Sequence, residues 1–284
     1  GGKRVRPLVV LLVASALEDA NNPSQIQLAT AIEFLHTATL LHDDVVDVSS
    51  LRRGKPTANA NWGNASSVLV GDFVYSRAFQ LMVSVGNLQV MQVLSDTTVK
   101  IAEGEVQQLV EIGNLALDEA TYFDVIERKT AQLFAGACES AALVARANPG
   151  VAEAMRAYGK HLGLAFQLVD DYLDYAGDTE ALGKNVGDDL AEGKLTLPLI
   201  EALRQTKQHN SAAHSELSGA IADKDLSKIS AIIDIVQSCE ALVYTREAAI
   251  REAGQAAALL EVLPASPARE ALSELCDFVV QRSY

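Results

Sequence analysis

The sequence predicts an all-α fold that forms a single domain. Apolar residues recur at three- and four-residue spacing along most of the chain, which is the pattern of amphipathic helices, and strand-like alternation never persists. No linker rich in glycine or serine divides the 284 residues, and no fixed repeat period indicates a solenoid. With 49% apolar residues, the chain can bury a sizeable core. We therefore expect one helical domain over residues 1–284.

Capping residues and breaks support the helix boundaries that the periodicity gives. Asn22 and Pro23 form a cap and a first-turn proline, Asp118 is a second cap, and the Asn-Pro-Gly sequence at 148–150 breaks the helical pattern. Taken in chain order, the predicted helices span residues 8–17, 26–46, 68–83, 88–112, 123–144, 151–175, 197–204, 211–221, 226–239, 241–263 and 268–282.

Two copies of one aspartate pattern end the predicted helices 26–46 and 151–175. Residues four apart on a helix lie within roughly 40° of one another, so each pattern presents a fork of carboxylates. Such clusters are costly to bury unpaired, whereas Mg²⁺ is held by a few carboxylates together with substrate phosphates. The patterns therefore predict a metal-bridged diphosphate site, with the carboxylates of Asp43, Asp44, Asp47, Asp170, Asp171 and Asp174.

A cationic segment follows each aspartate pattern. Residues 51–57 contain Arg52 and Arg53, and residues 177–193, followed at once by Lys194, contain Lys184. We expect both segments to be non-helical. Arginine binds phosphate through a bidentate fork and lysine binds it as a point charge, so each segment supplies cations beside a cluster of acids.

Composition excludes several classes of function. The formal charge of −14 and the pI near 4.8 argue against nucleic-acid binding, which requires a basic stripe. The three cysteines have no paired spacing, so neither a disulfide framework nor a zinc site is expected, and a reducing, cytoplasmic location fits. No apolar run reaches the length of about 20 residues that spans a bilayer.

The combined motifs resemble the trans-isoprenyl diphosphate synthase family, from Gly1 to the C-terminus. One aspartate pattern alone is weak evidence, but two in order, with basic motifs between and after them, are specific. Within the family the chain is most similar to bacterial octaprenyl diphosphate synthases. The matching segments are GGKRVRP at 1–7, His36 with the first aspartates, RRGKPT at 52–57, Gly71-Asp72, Lys129-Thr130, FQLVDD at 166–171, Gly183-Lys184 and Gly193-Lys194.

This resemblance implies a bundle of antiparallel helices around a deep central cavity, with the aspartate motifs facing each other across its mouth. It also implies a homodimer, and we expect N-terminal helices of the family to be missing before Gly1. The reaction would join isopentenyl diphosphate to an allylic diphosphate, farnesyl or similar. The product would be an all-trans polyprenyl diphosphate, octaprenyl for a quinone side chain, unloaded during a transient visit to the membrane.

Roles for individual residues follow from the same resemblance. The isopentenyl diphosphate would be held by Lys3, Arg6, His36 and Arg53, and the allylic diphosphate by Arg52, Lys129, Lys184 and Lys194. Asp43 and Asp47 would bind two Mg²⁺ ions and Asp170 a third, with Asp44, Asp171 and Asp174 as further ligands or holders of metal-bound water. The Thr130 carbonyl and the Gln167 amide oxygen would face the carbocation that forms when the allylic C–O bond breaks.

Product length depends on the floor of the cavity. In the family, aromatic residues four and five positions before the first aspartate close the floor, but here Thr39 and Ala38 are small. A deeper floor is expected at Phe79, Leu81, Met82 and Val93, for which a plain core role is equally open. The alternatives are a geranylgeranyl or solanesyl synthase, a non-catalytic subunit of a heteromeric synthase, and a terpene cyclase or head-to-head synthase.

Overall fold

The structure, a computed structural model, describes residues 3–52, 54–176 and 187–282. Within these ranges nearly all regular structure is helical, which confirms the predicted all-α class. The exception is a hairpin of two short antiparallel strands, β1 (Leu51–Arg52) and β2 (Lys55–Pro56), with Leu51 opposite Pro56. The hairpin occupies the first cationic segment, which the sequence predicts as non-helical.

The first half of the chain forms long helices joined by short turns. Their bounds are α1 Val5–Ala16, α2 Pro23–Val46, α3 Ala58–Trp62, α4 Asn64–Ser84, α5 Leu88–Val110, α6 Glu119–Ile126, a π-helical segment Glu127–Ala131, α7 Gln132–Val144 and α8 Pro149–Ala176. The predicted caps are confirmed. Asn22 Oδ1 accepts from the Ser24 amide at 3.0 Å, and Asp118 Oδ1 accepts from the Thr121 amide at 2.8 Å.

The second half continues the bundle with shorter helices. They are α9 Asp188–Glu192, α10 Leu197–His209, α11 Ser211–Asp223, α12 Ile229–Ser238, α13 Ala241–Leu259 and α14 Pro267–Gln281, with 3₁₀ turns at Leu226–Lys228 and Leu260–Val262.

Two sequence predictions of local structure are wrong, and one short helix was not predicted. The single helix expected over 123–144 is interrupted by the π-helical segment, because apolar spacing does not register one extra residue in a turn. The segment 177–193, expected to be non-helical, contains α9, whose ends are set by Gly187 and Gly193 in left-handed conformations. The short α3, capped by the Thr57 hydroxyl, has no apolar periodicity to reveal it.

Helix α8 is the central element of the bundle, and its side chains enter two apolar cores. One core joins α8 to α1, α2, α4, α5, α7 and α14, with Phe134 and Leu162 fully buried. The other joins the second half of α8 to α6, α9, α10, α11, α12 and α13, with Leu168 and Leu190 fully buried. The second aspartate motif lies near the end of α8 and is held by the second core.

Two glycines on one face of α8 allow a very close approach to the preceding segments. A Cβ atom on Gly163 would lie 2.5 Å from the Cα of Ala131, and one on Gly159 would lie 2.3 Å from the carbonyl oxygen of Phe134. Both distances are too short for any side chain. This contact places α8 directly against α7 and the π-helical segment.

Replacing Gly163 with alanine tests this packing. Overpacking costs about 1–3 kcal/mol of unfolding free energy, while alanine in place of glycine gains about 1 kcal/mol in a helix. We expect the cost to prevail, so that Gly163→Ala is less stable than the unmodified protein. The matched control is Gly254→Ala in α13, where no atom lies within 4 Å of the position that a Cβ would take, so the helix gain should stand alone. Urea denaturation measures the unfolding free energy of both variants. Equal unfolding free energies for Gly163→Ala and Gly254→Ala would contradict the close-packing explanation.

Candidate active site

The first aspartate motif closes α2, with Asp47 as the C-cap residue. Asp44 is buried and bound by Arg52 of the hairpin, whose Nε and terminal nitrogen lie 2.8 and 2.7 Å from Asp44 Oδ1. Burial raises the pKa of Asp43 to about 6; Lys129 lowers the value, while Glu105 and Asp47 raise it further. Burial, more than the neighbouring charges, therefore raises the pKa of Asp43.

Lys194 joins the first motif to the loop after α9. Its Nζ lies 3.0 Å from Asp47 Oδ1 and 2.5 Å from Glu192 Oε2. Burial alone would lower the pKa of Lys194, but the two carboxylates more than offset this and hold the pKa above its usual range. Lys194 is therefore a stably charged ammonium at the first motif.

The second motif is linked to the end of the chain through Arg282. One terminal nitrogen of Arg282 lies 2.7 Å from Asp170 Oδ1, and the other donates to the carbonyl oxygen of Phe166. The guanidinium also stacks over the Phe166 ring, 4.1 Å from its centroid. The Arg282 side chain is almost fully buried. Sequence reasoning missed this residue, since a lone arginine after α14 carries no motif.

Asp171, the second aspartate of that motif, faces away from solvent. Its Oδ2 accepts a short hydrogen bond from the Tyr122 hydroxyl at 2.5 Å, and its Oδ1 accepts one from Gln167 Nε2 at 2.8 Å. Burial and the neighbouring Asp189 raise its pKa to about 8, although the bonds from Tyr122 and Gln167 lower it. Both carboxylate oxygens are therefore already used inside the protein.

Helix α9 connects Asp174 to Lys194. The Asp189 amide donates to Asp174 Oδ2 at 3.2 Å, and the Gly187 amide donates to the Asp174 carbonyl oxygen at 3.1 Å. The Lys194 amide in turn donates to the Asp189 carbonyl oxygen at 2.8 Å. A continuous chain of contacts thus runs from Asp47 through Lys194 and α9 to Asp174, and it ties the two motifs together.

A cavity of about 110 Å³ lies between these elements. Its lining includes five residues that the sequence assigned to the site, namely Lys129, Thr130, Gln167, Asp171 and Lys194. A larger cavity, of about 520 Å³, lies beside α10 and α13 and is lined by none of the assigned residues. The smaller cavity is consequently the better candidate for the reaction centre.

The π-helical segment places Lys129 and Thr130 at this cavity. Lys129 Nζ reaches Glu105 Oε2 at 2.6 Å and Gln108 Oε1 at 2.7 Å, both on α5. The approach requires Gly104, because a Cβ there would lie 2.8 Å from the Lys129 amide nitrogen. Irregular turns of this kind are frequent at functional sites.

Another cation, Arg6, lies near the rings of Phe134 and Phe166. Arg6 at the start of α1 contacts His36 of α2, with 3.1 Å between Nη1 and Nε2, and its guanidinium stacks 4.4 Å from the Phe134 ring centroid. The Phe166 centroid is 5.9 Å from the Arg6 guanidinium. Lys3, half-buried, lies two residues before α1. Arg53 and Lys184 lie outside the described residues.

The residues expected to control product length lie along α2, α4 and α5. Ala38 and Met82 are fully buried, and Thr39, whose hydroxyl donates to the His36 carbonyl oxygen at 2.9 Å, is half-buried. Phe79 and Leu81 are half-buried and pack against the core that contains Met82. Val93 is half-buried on α5.

Hard oxygen donors are available for Mg²⁺ at four of the six aspartates. Asp43, Asp47, Asp170 and Asp174 are partly exposed at the edge of the site. Burial raises the pKa of Asp43, and a divalent cation beside it would favour the charged carboxylate. Asp44 and Asp171 fit less well, since both are buried, at 4% and 3% exposure, and are held by Arg52 and by the Tyr122–Gln167 pair. In the described part of the chain, no three acidic, histidine or cysteine side chains are grouped closely enough to hold one ion.

Comparison with known proteins identifies the family. The family model for "Polyprenyl synthetase" matches residues 1–236. The chain is 46% identical over 284 residues to an octaprenyl diphosphate synthase of Escherichia coli, covering 99% of this chain and 86% of that protein. It is 45% identical to an all-trans-nonaprenyl-diphosphate synthase of Rhodobacter capsulatus, covering 99% of this chain and 86% of that protein.

A solved structure agrees with these matches. A polyprenyl synthase from Caulobacter crescentus, in complex with calcium and isoprenyl diphosphate, superposes with a TM-score of 0.94 at 46% identity, covering 100% of this chain and 86% of that chain. The chain belongs to the polyprenyl synthetase family, and the predicted enzyme class, a prenyltransferase, is confirmed.

Proposed function

We propose that the enzyme condenses isopentenyl diphosphate with farnesyl diphosphate or a similar allylic primer, and repeats the step to form all-trans octaprenyl diphosphate for a quinone side chain. The proposal depends on one observation: Lys129, Thr130, Gln167 and Lys194 line one small cavity, beside aspartate motifs that α9 ties together.

The charges of this cavity suit the ionisation of an allylic diphosphate. When the C–O bond breaks, Arg52, Lys129 and Lys194 stabilise the negative charge on the departing diphosphate. Thr130 and Gln167 present neutral oxygens to the allylic cation, which they stabilise without trapping it as an ester. The double bond of isopentenyl diphosphate then attacks the cation, and the proton that is lost is taken by the diphosphate.

Magnesium is the proposed cofactor, with three ions per site. Asp43 and Asp47 would hold two ions and Asp170 a third, with Asp174 in support. Bound Mg²⁺ would neutralise diphosphate charge and so favour its departure. The isopentenyl diphosphate would be held by Lys3, Arg6, His36 and Arg53.

Product length is the least constrained part of the proposal. The octaprenyl and nonaprenyl synthases match this chain almost equally well, at 46% and 45% identity, so a nonaprenyl product is the second candidate. Small residues at Ala38 and Thr39 favour either long product, because they leave room for a growing tail beside α4. Each buried CH₂ of that tail adds roughly 0.8 kcal/mol to its binding.

Chromatography of the products tests the chain length directly. With labelled isopentenyl diphosphate, we expect octaprenyl diphosphate from the unmodified enzyme and a shorter product from Ala38→Tyr, because the phenol ring would fill the space that the tail occupies. The rate of the first condensation serves as the control and should change little. An unaltered product from Ala38→Tyr would place the controlling wall elsewhere.

The metal assignment is tested by Asp43→Asn and Asp170→Asn. Asparagine keeps the shape and, at position 170, an acceptor for Arg282, so the fold should persist while turnover falls by about a hundredfold or more. Binding of Mn²⁺, followed by electron paramagnetic resonance, should weaken in both variants. Asp96→Ala, at an exposed site on α5, is the control. Normal turnover and normal Mn²⁺ binding in either asparagine variant would refute the assignment at that residue.

A homodimer through α4 and α5 is part of the proposal. Both helices expose large apolar side chains, including Leu69 at 67%, Phe73 at 65%, Val106 at 62% and Val110 at 74%. Apolar faces of this extent are characteristic of protein interfaces. Every helix among the described residues is too short or too polar to span a membrane. We place the reaction in the cytoplasm, with transient membrane contact for product release.

Charge placed on this face should dissociate the dimer. We expect Phe73→Glu combined with Val106→Glu to sediment as a monomer, because each carboxylate would lose its hydration on association. Ile26→Glu is the matched control, since Ile26 on α2 is 62% exposed but lies outside the face. Analytical ultracentrifugation distinguishes the species, and a monomeric unmodified enzyme would disprove the proposed interface.

A further inference from the structure

We infer that Tyr122 and Asp171 are positioning residues, which hold the side-chain amide of Gln167 in one of its two possible orientations. The inference rests on the proposed role of the Gln167 oxygen toward the allylic cation. The sequence predicts Asp171 as a metal ligand or a holder of metal-bound water, whereas this inference makes it a hydrogen-bond acceptor that orients Gln167.

Both ends of the Gln167 amide have a defined partner. Its Nε2 donates to Asp171 Oδ1 at 2.8 Å, and its Oε1 accepts from the Thr130 hydroxyl at 2.8 Å. An amide can rotate by half a turn with little change in shape, so its orientation is set by neighbours that only accept or only donate. Asp171 Oδ1 accepts from the nitrogen, which keeps the amide oxygen on the Thr130 side.

Tyr122 fixes Asp171 in turn. The Tyr122 hydroxyl donates to Asp171 Oδ2, and both side chains are buried, at 3% exposure each. Tyr122 belongs to α6, just before the π-helical segment that carries Thr130. The two partners of Gln167 are thus anchored to the same stretch of chain, and the bonds form one continuous network.

The spacing of residues on α8 separates this network from the metal-facing carboxylates. At about 100° per residue, Asp170 and Asp174 form one row along the helix, while Gln167 and Asp171 form a second row about 60° further round. The first row meets Arg282 and α9, and the second meets Tyr122 and Thr130. Asp170 and Asp171, which are adjacent in sequence, therefore contact different parts of the structure.

A reversed amide would harm the reaction. It would turn the NH₂ group, the positive end of the amide dipole, toward the developing cation. Stabilisation at the transition state would be lost, while diphosphate binding, which involves other residues, would persist. The expected signature is a slower chemical step with unchanged substrate KM.

A double-mutant cycle between Tyr122→Phe and Asp171→Asn tests the inference. In Asp171→Asn with Tyr122 intact, the new amide can donate to the phenol oxygen and keep its own oxygen toward Gln167, so the single-turnover rate should stay within about tenfold of normal. Tyr122→Phe should also be mild. Without the phenol, the new amide at position 171 can rotate and reverse Gln167, so the double variant should lose about a hundredfold or more.

Two further measurements, together with the cycle, separate the possible outcomes. Asp171→Asn should bind Mn²⁺ normally, and loss of Mn²⁺ binding would overturn the inference in favour of a metal ligand. Rate effects that simply add in the cycle would also overturn it. Gln167→Met tests the underlying role: a normal rate there defeats the proposed function of Gln167, whereas a slow rate with an additive cycle defeats only the positioning role. If the double variant does not fold, Mn²⁺ binding and rate in Asp171→Asn alone decide.

Discussion

Charge compensation at partly buried carboxylates is the constraint on which the site depends. Asp44, Asp47 and Asp170 each meet a cation, from the β-hairpin, from the loop after α9 and from the end of α14 respectively. Removing a carboxylate from water is costly unless opposite charge or hydrogen bonds compensate for the lost hydration. These ion pairs hold the peripheral segments against α2 and α8. They also bring together cations of the kind that bind a diphosphate. In the proposed reaction, the metal ions would take the place of the cations beside the carboxylates, and the diphosphate would take the place of the carboxylates beside the cations.

The sequence predicts those parts of the site that leave a local pattern. The long helices follow from apolar periodicity, and the aspartate motifs mark the ends of α2 and α8 as expected. Arg282 was missed because its partner, Asp170, is over a hundred residues away and no spacing rule connects them. Tyr122 has the sequence surroundings of an ordinary core aromatic, and only the three-dimensional structure shows that its hydroxyl meets Asp171. The π-helical segment depends on close packing at Gly104, which apolar spacing does not encode.

Identical residues in the two motifs experience different physical environments. Asp43 has a pKa raised mainly by burial, whereas Asp44, its neighbour in sequence, forms an ion pair with Arg52. In the second motif, Asp170 meets a guanidinium, and Asp171 meets a phenol and an amide. The repeated aspartate pattern therefore does not make the six carboxylates equivalent. Burial and hydrogen-bond partners divide the six carboxylates into those that remain available to a cation and those engaged within the protein.

The absence of a side chain at Gly163 sets the distance between α8 and the segment that carries Thr130. Because α8 touches the backbone of Ala131 there, Gln167, one turn further along, comes within 2.8 Å of Thr130. Any larger residue would separate the two helical segments by roughly the width of a methyl group, more than a hydrogen bond tolerates. The position of the Gln167 amide thus depends on a residue with no functional group, which a search for reactive side chains alone would overlook.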